Sequence, residues 1–212
     1  MLSILKKLRF NKTFYLIAGA MFIIASCNGV KEDKAYRQKI AAERMQINEE
    51  FFNPKISPLD STSFYTFKGI RFFPIQEKYR VMAKIQLLQN QAVFELPHSH
   101  NKTKPYKNYA VLQFELDGKS LELIVLEQQN KKEGYENYLL LPFTDETNGK
   151  ETYGAGRYID LEKVAGATEV EIDFNKAYNP YCAYNDRYTC PIPPKENHIP
   201  LAMEAGMKNV EK

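Results

Sequence analysis

VLQFELDGKSLELIV, residues 111–125, reads as two strands joined by a two-residue turn. Leu112, Phe114 and Leu116 alternate with Gln113 and Glu115, and Leu121, Leu123 and Val125 resume the pattern beyond Asp117-Gly118. Period-two alternation puts one set of side chains on each face of a strand, and an Asp-Gly pair tolerates the positive φ angles of a tight hairpin. The same period extends outward. Val81, Ala83, Ile85 and Leu87 alternate with Met82, Lys84, Gln86 and Leu88, and Val170, Ile172 and Phe174 alternate with acids. Residues 137–143 form a fully apolar strand after Asn137 and Tyr138. About seven short strands between Phe64 and Phe174, with no helical spacing among them, predict a mainly β domain, an antiparallel barrel-like or sandwich sheet. One helix precedes it: Tyr36, Ile40, Ile47 and Phe51 share a stripe over residues 32–52, and Asn53-Pro54 ends the run. The Pro-rich stretch Pro191 to Pro200 is expected to lie extended across the domain surface.

The N-terminus has a different logic. Lys6, Lys7, Arg9 and Lys12 precede the apolar run FYLIAGAMFII, residues 14–24, and Ala25-Ser26-Cys27 follows. Basic, apolar and then small residues are the order of an export signal, and this apolar run is too short to cross a hydrocarbon core of ~30 Å. The pattern ending at Cys27 is that of a lipobox, which places 1–26 as a lipoprotein signal peptide and Cys27 as the site of lipidation (diacylglycerol and palmitate-type chains). Residues 27–53 then form a lipid-anchored segment and helix, 54–208 a single domain, and 209–212 a tail. The expected location is the cell envelope, with the membrane a partner through the lipid. Asn28 after Cys27 favours the outer membrane, periplasmic or surface face. Lys31-Glu32-Asp33-Lys34 resembles the export tags of Bacteroidetes surface lipoproteins and equally fits a solvated helix start.

The formal charge of +3 comes from this leader. Its four bases leave with it and it holds no acid, so the remaining chain has 25 bases against 26 acids. That near-neutral balance, with no basic cluster interleaved with aromatics, argues against nucleic acid as a partner.

Chemistry-bearing residues concentrate late in the chain. Cys182 and Cys190 are the other two cysteines, and in an exported protein a disulfide is their default reading. His198 continues their spacing, but zinc ligands pair more tightly than this. His98 and His100 would share one face of a strand. Pro97 and the polar NKTK stretch point instead to an exposed loop, so no metal is expected. TYGAGRY, residues 152–158, lacks the phosphate-loop pattern, and its glycines fit a bulge or tight bend. Arg157 is suited to clamping an anion. It is still better suited to an internal ion pair with an acid such as Asp160 or Asp173. Asn175, Tyr178, Asn179, Tyr181, Tyr184 and Asn185 make the stretch from Asp173 to Tyr188 dense in amides and phenols, which must satisfy themselves internally or line a pocket.

FKGIRFFPIQEKYRV, GKETYGAGRYIDL and DFNKAYNPYCAYNDRYTCPIPPKEN together resemble the domain of unknown function 1684 family, from about Ser57 to about Gly206. The resemblance implies a pattern that includes Asp145, Thr147, Arg157, Tyr158, Asp160, Asp173, Asn175, Tyr178, Asn179, Cys182, Tyr184 and Cys190. The three histidines lie outside it. It brings no established reaction, substrate or cofactor. Members of the family also include chains without export signals, which gives weight to a packed or ligand-facing thiol. Two functions are consistent with these residues. One is a non-catalytic envelope module that binds a small polar or anionic ligand, or a partner protein, through Arg157, Asp160, Asn175, Tyr178, Asn179 and Tyr184. The other is a hydrolase-like envelope enzyme using Cys182 as nucleophile or Asp160 as base. The absence of any recognisable nucleophile–base motif favours the first, with no cofactor.

Overall fold

A computed structural model describes residues 33–210. The signal segment and Cys27 lie outside the described residues. Helix α1 (Lys34–Phe52) begins at Asp33, whose carboxylate accepts the Tyr36 amide at 3.0 Å, and ends at Asn53 ahead of Pro54. Its stripe works as spaced: Tyr36, Ile40 and Phe51 are buried. A short helix α2 (Ser61–Thr66) follows, capped by Asp60, so Phe64 is helical rather than the start of the β region.

Eight strands succeed one another: β1 (Arg80–Leu87), β2 (Phe94–His98), β3 (Lys102–Leu116), β4 (Lys119–Gln128), β5 (Tyr138–Asp145), β6 (Arg157–Glu162), β7 (Glu169–Asp173) and β8 (His198–Ile199). The main sheet runs β6-β5-β4-β3-β1-β7, antiparallel throughout, with β2 added beside β3 and β8 parallel to β5. The Asp117-Gly118 hairpin forms with both residues at positive φ, as a type I′ turn requires. Beyond β7 the chain turns back at Phe174–Lys176 and Tyr178 bridges Tyr158 of β6, each amide donating to the other's carbonyl at 3.0 Å. That bridge brings the two ends of the sheet together. The sheet is a nearly closed barrel, not a sandwich.

Leu112, Phe114, Leu121, Leu123, Leu139, Leu141, Phe143, Ile159, Ile172 and Phe174 fill its interior. A second apolar cluster lies on the other side of β5 and β6, where Leu140 and Tyr158 meet Leu96, Tyr106, Leu126 and Cys190. β5 is therefore buried on both faces, which explains its unbroken apolar run. A β-bulge between Asn108 and Ala110 divides β3. Without it Tyr106 and Ala110 would face the same way. The extra residue reverses the parity, so Ala110 and Leu112 point into the barrel while Tyr106 joins the outer cluster.

The Pro-rich end does more than lie on the surface. A single 3-10 turn (Lys195–Asn197) interrupts it, β8 pairs with β5, and Met203, Ala205 and Met207 are then buried in the body. Among the described residues no helix is long and apolar enough to cross a membrane.

Candidate binding site

Arg157 opens β6 and points into the barrel. Its side chain and that of Asp145 are both 0 % exposed and meet at 2.8 Å. The guanidinium also donates to the carbonyls of Met203 at 2.8 Å and Met207 at 3.3 Å, and to that of Ala205. Asp145 in turn accepts from the Thr147 amide at 2.9 Å, the Thr147 hydroxyl at 2.5 Å and the Met203 amide at 3.2 Å. Burial pulls Arg157 below its ordinary pKa, opposed by the carboxylate beside it. The ion pair expected within the molecule is present, but its acid is Asp145, not Asp160 or Asp173. Strand parity gives the reason: Arg157 and Asp160 are three residues apart and so lie on opposite faces of β6. Gly156, at φ +95°, lets the chain enter β6 here, since a Cβ would come within 2.6 Å of the Phe143 carbonyl oxygen and 2.8 Å of Pro193. The glycine pair of TYGAGRY thus serves a tight bend.

Asn175 and Asp173 form a second internal knot. Asp173 accepts the Tyr36 hydroxyl at 2.9 and 3.0 Å, and Asn175 donates to Tyr36 and to the Gln76 carbonyl, both at 2.9 Å. Tyr184 is packed edge-on against Phe51 and accepts from Asn179 at 3.2 Å. Arg157, Asn175 and Tyr184 are therefore committed to internal contacts.

Asp160, Tyr178 and Asn179 are placed differently. They border a cavity of about 460 Å³ between the outer face of β5 and β6, the β2–β3 hairpin and the segment 178–191. Asp160 Oδ1 accepts the hydroxyls of Tyr178 at 2.6 Å and Tyr138 at 2.8 Å. No donor reaches Oδ2 among the described residues. Tyr138 is diagonal to Asp160 across the β5–β6 pair, where Leu140 is its direct partner. Burial first, and the Asp160 charge second, raise both phenols far above their ordinary range, so they remain neutral donors. Burial likewise pushes Tyr106 up to about 12. Tyr158 donates to the Pro191 carbonyl and stacks edge-on with Tyr178 at 5.8 Å. Asn179 Oδ1 is a buried acceptor without a donor among the described residues. Lys104, Gln128, Thr189, Glu50 and Lys176 add to the polar lining.

His98 corrects the expectation of an exposed loop at LPHSH. It ends β2, is only 3 % exposed and lines the cavity. Its Nδ1 lies 2.9 Å from the Leu96 carbonyl oxygen, which can only accept, so Nδ1 carries the proton. His100 follows at φ +59° in the next turn. His198 lies elsewhere, on β8, between Thr144 and Glu146. Among the described residues no three His, Cys, Asp or Glu side chains converge as a metal site.

Cys182 and Cys190 are brought together as free thiols, the Cys182 amide donating to Cys190 Sγ at 3.2 Å. Among the described residues no histidine hydrogen-bonds to Cys182. Sequence reading missed Tyr106, Tyr138, Tyr158 and His98 as cavity residues. For Tyr138 and Tyr158 a signal existed, since both share strand parity with outward-facing Leu140 and Asp160. The bulge hid Tyr106.

A nearly closed antiparallel barrel, held by an internal Arg–Asp pair and flanked by a phenol-lined cavity, is the class of domain that fold and site define. The chain belongs to the family described as protein of unknown function (DUF1684), whose pattern matches residues 65–208. It is similar to an uncharacterised protein of Haloarcula marismortui solved in solution by NMR, at 31% identity and a TM-score of 0.64. The likeness covers 82% of this chain and 94% of that one. Among curated proteins none matches.

Proposed function

We propose that this is a non-catalytic envelope module that binds a small polar molecule rich in hydrogen-bond donors. The observation that carries the reading is Asp160, fixed by two neutral phenols on one oxygen and left with the other for a ligand, in a cavity of about 460 Å³. Cavities of roughly 300–1,000 Å³ with apolar walls and a few convergent polar groups are the usual form of small-molecule sites. Asp160 and the phenol oxygens are acceptors, and aromatic faces suit the apolar face of a sugar, polyol or amine. An anionic ligand loses its strongest argument with Arg157 sealed inside, although Lys104 can hold an acceptor end of the same molecule. Cys27, by the lipobox ahead of it, tethers the domain to the membrane.

A thermal-shift screen of sugars, polyols and amines tests the reading. A hit on the wild-type chain should vanish in Asp160→Asn and weaken in Tyr178→Phe, with both variants folded. A hit that persists in Asp160→Asn places the ligand elsewhere.

A further inference from the structure

The segment 181–191 is a partition between two depressions. Cys182, on the 3-10 turn Tyr181–Ala183, borders an open cleft of about 990 Å³ together with Tyr153, Asn185 and Lys208. Cys190 borders the cavity on the other side. Cys182 is half-buried and Cys190 buried. The second sulfur is the better anchored: the Cys190 amide donates to the Ser99 hydroxyl at 3.0 Å, and its carbonyl accepts the Ser99 amide at 2.9 Å. The two thiols are within hydrogen-bonding reach of each other, and the hydroxyls of Tyr153 and Ser99 also lie within reach of Cys182. Lys104 lies near Cys190 on the cavity side and Lys208 borders the cleft with Cys182, and among the described residues no third metal-type ligand joins the pair.

We propose that Cys182 and Cys190 are a site of thiol–disulfide exchange, at which Cys182 attacks a small disulfide entering by the outer cleft and Cys190 resolves the product. The Cys182 thiolate displaces one thiolate from the disulfide and forms a mixed disulfide. Cys190 then gives up its proton, which passes through solvent to the released thiolate, and attacks Cys182 Sγ. The second small thiol leaves. In sum, two protein thiols become one disulfide and the small disulfide becomes two thiols, with two electrons passing from protein to small molecule. Excess small thiol reverses the sequence. The division of labour follows from access and hydrogen bonding. The donors around Cys182, Cys190 first and then Tyr153 and Ser99, outweigh its burial and lower it, whereas Cys190 is raised by its hydrogen bond to Cys182 and by burial. The lowered thiol that also borders the open cleft is the better placed attacker in such exchange. The inference does not depend on a ligand in the cavity.

The experiment uses the full chain with oxidised glutathione near neutral pH, read by peptide mapping that separates Cys27 from the pair. The wild type should accumulate a Cys182–Cys190 bond that excess reduced glutathione opens. Cys190→Ser should instead hold glutathione on Cys182. In the unmutated chain, brief alkylation near pH 7 should mark Cys182 several-fold faster than Cys190, and Tyr153→Phe should move the alkylation profile of Cys182 to higher pH. This alkylation order requires no variant to fold. Labelling of Cys190 ahead of Cys182, bonding of either to Cys27, or recovery of both thiols intact from the glutathione mixture overturns the proposal.

Discussion

Removing either half of the Arg157–Asp145 pair strands the other charge in an apolar interior, together with the carbonyls that the guanidinium now caps. Breaking a buried pair from one side costs about 3–5 kcal/mol, so Arg157→Met and Asp145→Asn should each lower the unfolding free energy obtained from urea titration by that order. The double variant Arg157→Met/Asp145→Asn should lose less than the two singles combined, because no lone charge remains. Additive losses would show that the two groups do not act as a pair. His98 supplies a second residue-level test. Burial, the dominant cause, holds its pKa below the ordinary value of about 6.5. As pH falls below that value the unfolded chain takes up a proton before the folded one does, so the unfolded state gains and stability drops. Melting temperatures measured from about pH 7.5 to about pH 5.5 should decline for the wild type and decline less for His98→Gln. Parallel curves would mean that His98 is already solvated.

At the scale of elements, α1 is attached through polar contacts as well as its stripe. Tyr36 closes the Asp173–Asn175 knot, and Arg44 donates to the carbonyls of Phe73 at 2.8 Å and Asn175 at 3.0 Å. Tyr36→Phe leaves buried acceptor and donor capacity unmet, at a cost of about 1–3 kcal/mol. Hydrogen exchange should then rise in α1 before it rises in β3 or β4, and uniform exchange would refute independent docking. Much of this architecture is legible in the chain. The 111–125 hairpin, the α1 stripe and the proline that ends it all follow from short-range spacing. The bulge in β3 is not legible, because nothing local at Asn108-Tyr109-Ala110 marks which residue lacks a partner. Nor was the acid for Arg157, which arrives from β5 through a turn that packs only in three dimensions. The cavity was half visible. Density of amides and phenols pointed to Tyr178 and Asn179, and Asp160 stood out as an acid on the strand of Arg157, but the same density also swept in Asn175 and Tyr184, whose roles are set by contacts with the distant helix.

At the scale of the whole molecule, we propose that the segment ahead of the described body is a lipoprotein signal ending in a lipobox at Cys27. Mass spectrometry of the protein from its native host should find residues 1–26 gone and fatty chains on Cys27. An intact leader would remove the envelope assignment while leaving the cavity and its ligand test untouched.

The last stretch of chain has a consequence for biogenesis. Gly206 takes φ +73° where a Cβ would press on Ala177 and Phe174, and the residues on either side fill the barrel and receive the Arg157 hydrogens. A folding chain therefore holds an uncapped charge in its half-made interior until residues 203–207 pack into place. Chains cut short before Met203 should therefore be proteolysed rather than accumulate.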